Sequence, residues 1–185
     1  MFAALGRETS AAVDVARALG GIALVAVADQ HEPVFNCLVV ADDAIALRTL
    51  ADVGLYEVTV RPMRHQRRFW PPDTVSPGVT AVFPMVRRLD RTHAEADAHW
   101  RDVHAPLALR HHPGMWHYHQ LSVDRVLDGP IFDGFALCAF ASDQERTERF
   151  FGGAEDRHVI AADVERFADL TASPRQVRML EWRFD

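Results

Sequence analysis

CLVVAD, from Cys37 to Asp42, and CAFASD, from Cys138 to Asp143, are the two stretches that decide the fold. Each is an apolar run that begins at a cysteine and ends in residues suited to opening a helix. They hold the same place in two successive rounds of elements. Around the first, Phe2 to Leu5 reads as a brief strand. Thr9 or Ser10 is placed to cap a helix whose Ala12, Val15, Ala16 and Leu19 follow i, i+3, i+4, i+7, and Gly20-Gly21 ends it. Ile22 to Ala28 is apolar throughout, as expected of a strand covered on both faces. His31-Glu32-Pro33 is a turn, and Phe35 to Val40 is the next strand. A helix opens at Asp42-Asp43 with Ala44, Leu47 and Ala51 on one side, and Gly54 closes it. Tyr56 to Val60 completes a β-α-β-β-α-β order, the ferredoxin-like split βαβ unit.

The same order surrounds the second stretch. Val79 to Val86 is a strand. Thr92 and Glu95 form a capping box before a helix with the stripe Ala96, Trp100, Val103 and Leu107, which Pro106 is expected to end or kink. His111 to Gly114 reads as a solvated turn and Met115 to Val123 as a strand. After the Asp128-Gly129-Pro130 turn comes a strand from Phe132 to Ala141. Ser142 and Glu145 suggest a second capping box for a helix that stops at Gly152-Gly153. A further helical stretch runs from about His158 to Leu170, and Val177 to Phe184 closes the unit. Arg64 to Gly78, with Pro71, Pro72 and Pro77, has no periodicity and reads as a linker.

The organisation expected is therefore a degenerate ferredoxin-like unit over residues 1–63, a linker over 64–78, and a second unit over 79–185. Both sheet faces are apolar, although helices cover only one. Two such βαββαβ units facing each other in one chain would form an α+β fold of the dimeric α+β barrel type, closing exposed edges. The expected ligand cavity lies between the two sheets.

Composition limits the chemistry. The chain has 185 residues and a formal charge of -6, a poor balance for binding nucleic acid. All 20 basic residues are arginine, which removes a lysine Schiff base and a P-loop lysine. Proton transfer would fall to carboxylates and the ten histidines. Cys37 and Cys138 sit in apolar runs and read as buried, reduced thiols rather than a disulfide framework. Arg61, Arg64, Arg67 and Arg68, with Phe69 and Trp70, imitate a nucleic-acid patch but read as a solvated segment or a partner contact. Leu19 to Ala28 is too short to cross a bilayer. It imitates a signal-peptide core, but Glu8 and Asp14 precede it, so a cytoplasmic protein is expected. Neither G-x-S-x-G nor G-x-G-x-x-G is present, which argues against a serine hydrolase and a Rossmann site.

The richest chemistry lies between His99 and Gln120, which hold six of the histidines. His104 falls four residues after Trp100, on the same helix face. It is either a general acid or base in a pocket wall or an imidazole capping its own helix end. On the following strand, alternation sends His117 and His119 to one face and Trp116, Tyr118 and Gln120 to the other. Period alone does not choose the cavity face, though Tyr118 and Gln120 would suit a ligand cavity. The H-x-H pair suits zinc or copper, but no third ligand stands at a readable spacing, so no metal is expected. Asp133-Gly134 is either a catalytic carboxylate or a turn.

From Trp100 to Leu107 the chain reads W-R-D-V-H-A-P-L. Together with Arg87-Arg88, Pro113-Gly114, Y-H-Q at Tyr118 to Gln120, F-D-G at Phe132 to Gly134 and the late DVERFAD from Asp163 to Asp169, this resembles the EthD family over about residues 79 to 185. The resemblance implies a dimeric α+β barrel, with the unmarked first half standing in for a second subunit. Relatives in that superfamily include polyketide cyclases, decarboxylases, dehydratases, monooxygenases, accessory proteins and haem-handling members. Carried over, it places His104 at the motif histidine, with Trp100, Tyr118 and Asp133 at family positions.

The expectation is a protein binding a small, largely apolar aromatic or polyketide-like molecule. Cofactor-independent cyclisation, dehydration or decarboxylation would use His104, Tyr118 and Asp133, with Trp100, Trp116, His117, His119 and Gln120 contacting ligand. The alternatives are a non-catalytic accessory protein of an oxygenase or degradation pathway, and a haem-binding barrel. A small molecule is the expected partner, without nucleic acid or membrane, in a monomeric pseudo-dimer or a homodimer.

Overall fold

The computed structural model describes residues 1–65, 70–71 and 73–184. Of the arginine-rich segment, Arg67, Arg68 and Phe69 lie outside the described residues, as does Pro72. Eight antiparallel strands close into one barrel in the order β1-β3-β2-β8-β5-β7-β6-β4. They are β1 (Phe2–Gly6), β2 (Ile22–Ala26), β3 (Cys37–Ala41), β4 (Gly54–Arg64), β5 (Val79–Met85), β6 (Met115–Asp128), β7 (Gly134–Phe140) and β8 (Val177–Arg183). Read from β4, the first four run 4-1-3-2; the second four follow the same rule. The halves meet at two seams, β2 on β8 and β4 on β6. An α+β fold of two ferredoxin-like units, in the manner of a dimeric α+β barrel, is thus made by a single chain.

Every strand sends alternate apolar residues into the barrel, and their core is continuous: Leu5, Leu24, Val40, Val58, Leu121 and Phe135 belong to one buried cluster. An eight-stranded barrel is narrow enough for side chains to fill. Across this cluster packed side chains fill the space between the sheets. Many of the opposite residues lie under helices, whereas Thr59, Asp124 and Leu180 are exposed. Cys37 and Cys138 both face that outer layer and are free and buried, as equivalent positions of a repeat should be.

The two outer layers differ in content. Over the first half lie α1 (Ala12–Ala18) and α2 (Ala44–Leu47), both short. Ala4, Ala12, Ala16, Leu47 and Leu55 fill the space beneath them. Asp43 caps α2 by accepting from the backbone N–H of Ile45 and Ala46. Neither Thr9 nor Ser10 caps α1: its cap is Ala11, and Glu8 instead accepts from the N–H groups of Thr9 and Ser10. Over the second half lie α3 (His93–His99), a π turn (Trp100–His104), α4 (Ala105–His111), α5 (Asp143–Arg149) and α6 (Ala154–Val164).

The capping box of Thr92 and Glu95 is formed. At α5 only half of the expected box forms, because Ser142 accepts from the N–H of Glu145 while the Glu145 carboxylate pairs with Arg149. α6 begins earlier and ends earlier than the stretch from His158 to Leu170. Pro106 does not end the helix. It stands in the first turn of α4, where its missing N–H costs least, and the preceding turn takes i→i+5 bonds such as Ala105 N–H to the Trp100 carbonyl. The added turn residue rotates Val103 out of the expected apolar stripe; it is 48% exposed.

β4 and β6 are longer than their sequence patterns because each pairs with the other across the seam, from Leu55–Asp128 to Arg64–Tyr118. Arg64 is thus strand rather than linker, and its guanidinium donates to the carbonyls of Met115 and Leu109. Arg61 is fixed bidentately on Asp97, at 2.7 and 2.9 Å. These two arginines serve the fold rather than a solvated segment. No helix among the described residues is long and apolar enough to cross a membrane.

Candidate active site

The cavity lies outside the barrel, between the sheet of the second half and its helices. Its volume is about 460 Å³, within the range of small-molecule sites, roughly 300–1,000 Å³. Phe83, Ala136 and Cys138 line its floor, and Phe150, Ile160 and Phe167 contribute to its walls. Three polar side chains of the core, His104, His112 and Tyr118, reach the same space.

The π turn makes the central arrangement. Residues five apart on an α-helix diverge by about 140°, but an i→i+5 turn brings them to one side. His99 and His104 therefore both face Asp163 on α6. His104 donates from Nδ1 to Asp163 Oδ2 at 2.8 Å, and His99 donates from Nε2 to Oδ1 at 2.9 Å. The Phe167 ring sits 5.2 Å from His104 and 5.3 Å from His99. Burial pushes the Asp163 carboxyl up, but the hydrogen bonds from His104 and His99 outweigh it and hold it below the ordinary aspartate value. A carboxylate only accepts, so it fixes the proton of His104 on Nδ1. Nε2 is left bare, without a hydrogen-bond partner among the described residues, on a ring that lines the cavity. His104 is buried in mid-helix and does not cap a helix end.

Tyr118 supplies a donor to the same cavity. Its phenol oxygen accepts from Trp100 Nε1 and from Gln120 Nε2, each at 3.1 Å. Gln120 Nε2 also donates to the Trp100 carbonyl, which fixes the amide's orientation because a carbonyl only accepts. With both lone pairs engaged, the phenol hydrogen has no acceptor of its own among the described residues. Burial pushes the Tyr118 hydroxyl well above its ordinary value, so it remains protonated. His112 is also buried and reaches the cavity, where a solvated turn was expected. Its Nδ1 donates to the Phe150 carbonyl, and burial lowers its pKa to about 4, so the ring is neutral near pH 7.

The structure thus brings together Trp100, His104, Tyr118 and Gln120, although Gln120 braces Trp100 and Tyr118 rather than lining the space. Asp133 lies apart: it accepts from the Arg87 backbone N–H and from His93 Nδ1, at 2.8 and 2.9 Å. His117 and His119 share the opposite side of β6 from Tyr118. They lie beside the buried Glu181–Arg183 pair, and burial lowers their pKa values to about 4 and about 3. Trp116 stacks on Trp70 at 5.5 Å and does not line the cavity. The described residues contain no group of three or more side chains suited to a metal ion.

Asp163 is the residue that sequence reading missed. Its signal is an aspartate within an apolar helical stripe, Ile160, Val164 and Phe167 at i−3, i+1 and i+4. His99 and His112 were visible only as members of a histidine-rich stretch.

Fold and site together define a single-chain α+β barrel with a histidine–carboxylate pair set against an apolar cavity. No family model matches the chain, and no curated protein does. Among solved structures the chain is similar to one described as a crystal structure of an anthrone oxidase-like protein. The TM-score is 0.53 over 99% of this chain and 92% of that one, at 14% identity. At that identity the likeness is one of fold.

Proposed function

We propose that the protein is a cofactor-independent enzyme that enolises a small aromatic or polyketide-like ketone in the cavity beneath the π turn. The observation that carries this reading is the bare Nε2 of His104, held by Asp163 and facing the same apolar space as the Tyr118 hydroxyl. In the first step Nε2 takes a proton from a ring methylene conjugated with the carbonyl, directly or through the fused rings. The C–H electrons move to the carbonyl oxygen, and Tyr118 donates a hydrogen bond to the resulting enolate. Asp163 stabilises the imidazolium that forms. The same step opens cyclisation or dehydration, in which the enolate attacks a carbonyl or expels hydroxide and His104 returns its proton. The neighbour's description as anthrone oxidase-like supports fused-ring ketones as the first compounds to test.

Anthrone, kept free of oxygen in deuterated buffer, provides that test. Exchange of its ring methylene protons is followed by NMR. The native protein is expected to accelerate exchange about 100-fold or more over His104→Ala, the usual worth of a positioned base. Binding with equal exchange in both proteins would refute catalysis and leave a non-catalytic binder.

A further inference from the structure

The cavity's charge differs from that of the whole chain. The protein carries 26 acidic residues against 20 arginines. Yet no aspartate or glutamate lines the cavity, whereas Arg157 and Arg175 do. Both are exposed, which places them at the opening rather than in the interior. Neither forms an ion pair among the described residues, although Arg61, Arg88, Arg101, Arg146, Arg149 and Arg178 all do. The Arg157 guanidinium is held 5.2 Å over the Phe151 ring, itself part of the wall. The adjacent Asp156 is engaged by His111. Gln176 adds an amide to the same opening.

From this we infer that the ligand is an aromatic acid: its ring system enters toward His104 and Tyr118, and its carboxylate stays at the opening between Arg157 and Arg175. A guanidinium offers paired N–H donors that match a carboxylate and keeps its charge at any working pH. Placement at the opening suits an anion, because the carboxylate stays partly hydrated while the apolar body is buried. The inference rests on the cavity being the ligand site, and the test separates the two.

Two fluorescent probes of similar shape are titrated into the full chain at low ionic strength. One is 9-anthracenecarboxylate; the other is neutral 9-anthracenemethanol. The native protein is expected to bind the carboxylate at least ten times more tightly, and added salt should erode the difference. In Arg157→Gln/Arg175→Gln, whose exposed substitutions leave the core untouched, the two probes should bind alike. Equal affinity in the native protein, or a carboxylate preference that survives the double substitution, overturns the inference while leaving the cavity as ligand site. If neither probe binds, the cavity reading falls and the inference falls with it.

Discussion

Replacing Asp163 by asparagine tests the centre of the site without reference to any substrate. The carboxylate accepts from two imidazoles, at 2.8 and 2.9 Å, while its side chain is only 8% exposed. Asparagine has the same shape but one acceptor oxygen and one donor NH₂. One of the two histidines must then lose its acceptor or move its proton to the other ring nitrogen. A hydrogen bond to a charged group contributes about 1.5–3 kcal/mol. In a domain of this size each kcal/mol moves Tm by about 2–4 °C, so Asp163→Asn should melt about 3–12 °C below the native protein at pH 7. The carboxyl is held below its ordinary value in the fold, so its contribution is present above the unfolded pKa, about 3.9. It is lost as pH falls through the lower folded value. The gap between the two melting curves should therefore narrow as pH falls below the unfolded value. Nitrogen-15 spectra of the histidine rings report the second consequence, a change of tautomer or a lost hydrogen bond at His99 or His104. Equal melting temperatures at pH 7 together with unchanged ring spectra would refute the pairing.

Other substitutions and conditions probe the surroundings. A Cβ on Gly134 would stand 2.5 Å from the Trp100 ring and 2.9 Å from the Leu121 carbonyl; Gly134→Ala should cost about 1–3 kcal/mol by overpacking. It should also shift tryptophan emission as Trp100 leaves Tyr118; unchanged melting and emission would count against this packing. Burial lowers His112, His117 and His119 to about 4, about 4 and about 3, so their ring protons should not titrate by NMR between pH 7 and 5. Because unfolded histidine takes up its proton near pH 6.5, these three groups oppose folding as pH falls from about 6.5 to 4. His119→Gln should accordingly show a smaller loss of urea resistance between pH 7 and 5 than the native protein, and an equal loss would exclude its contribution.

Much of this fold was written in local patterns. The repeated cysteine-bearing strands, the glycine stops and the Thr92–Glu95 box are near-neighbour features, and the strand order follows from their sequence. The need to cover a second apolar face pointed to barrel closure. The linker reading from Arg64 was too early, because β4 extends by pairing with a strand of the other half, a partner that no local pattern names. Helix periodicity likewise assumed 3.6 residues per turn, so the π turn that exposes Val103 was invisible to it.

The candidate site divides along the same line. The sequence by itself determined that proton chemistry would rest on histidines and carboxylates, and that Tyr118 and Gln120 share a side of β6 opposite His117 and His119, because strand alternation is local geometry. Only the tertiary structure decided which side meets the cavity, since that depends on which faces of eight strands turn inward when the barrel closes. It also decided that Asp163, 59 residues beyond His104, becomes its partner. Two helices packed over one sheet set that distance, and chain separation carries no information about it.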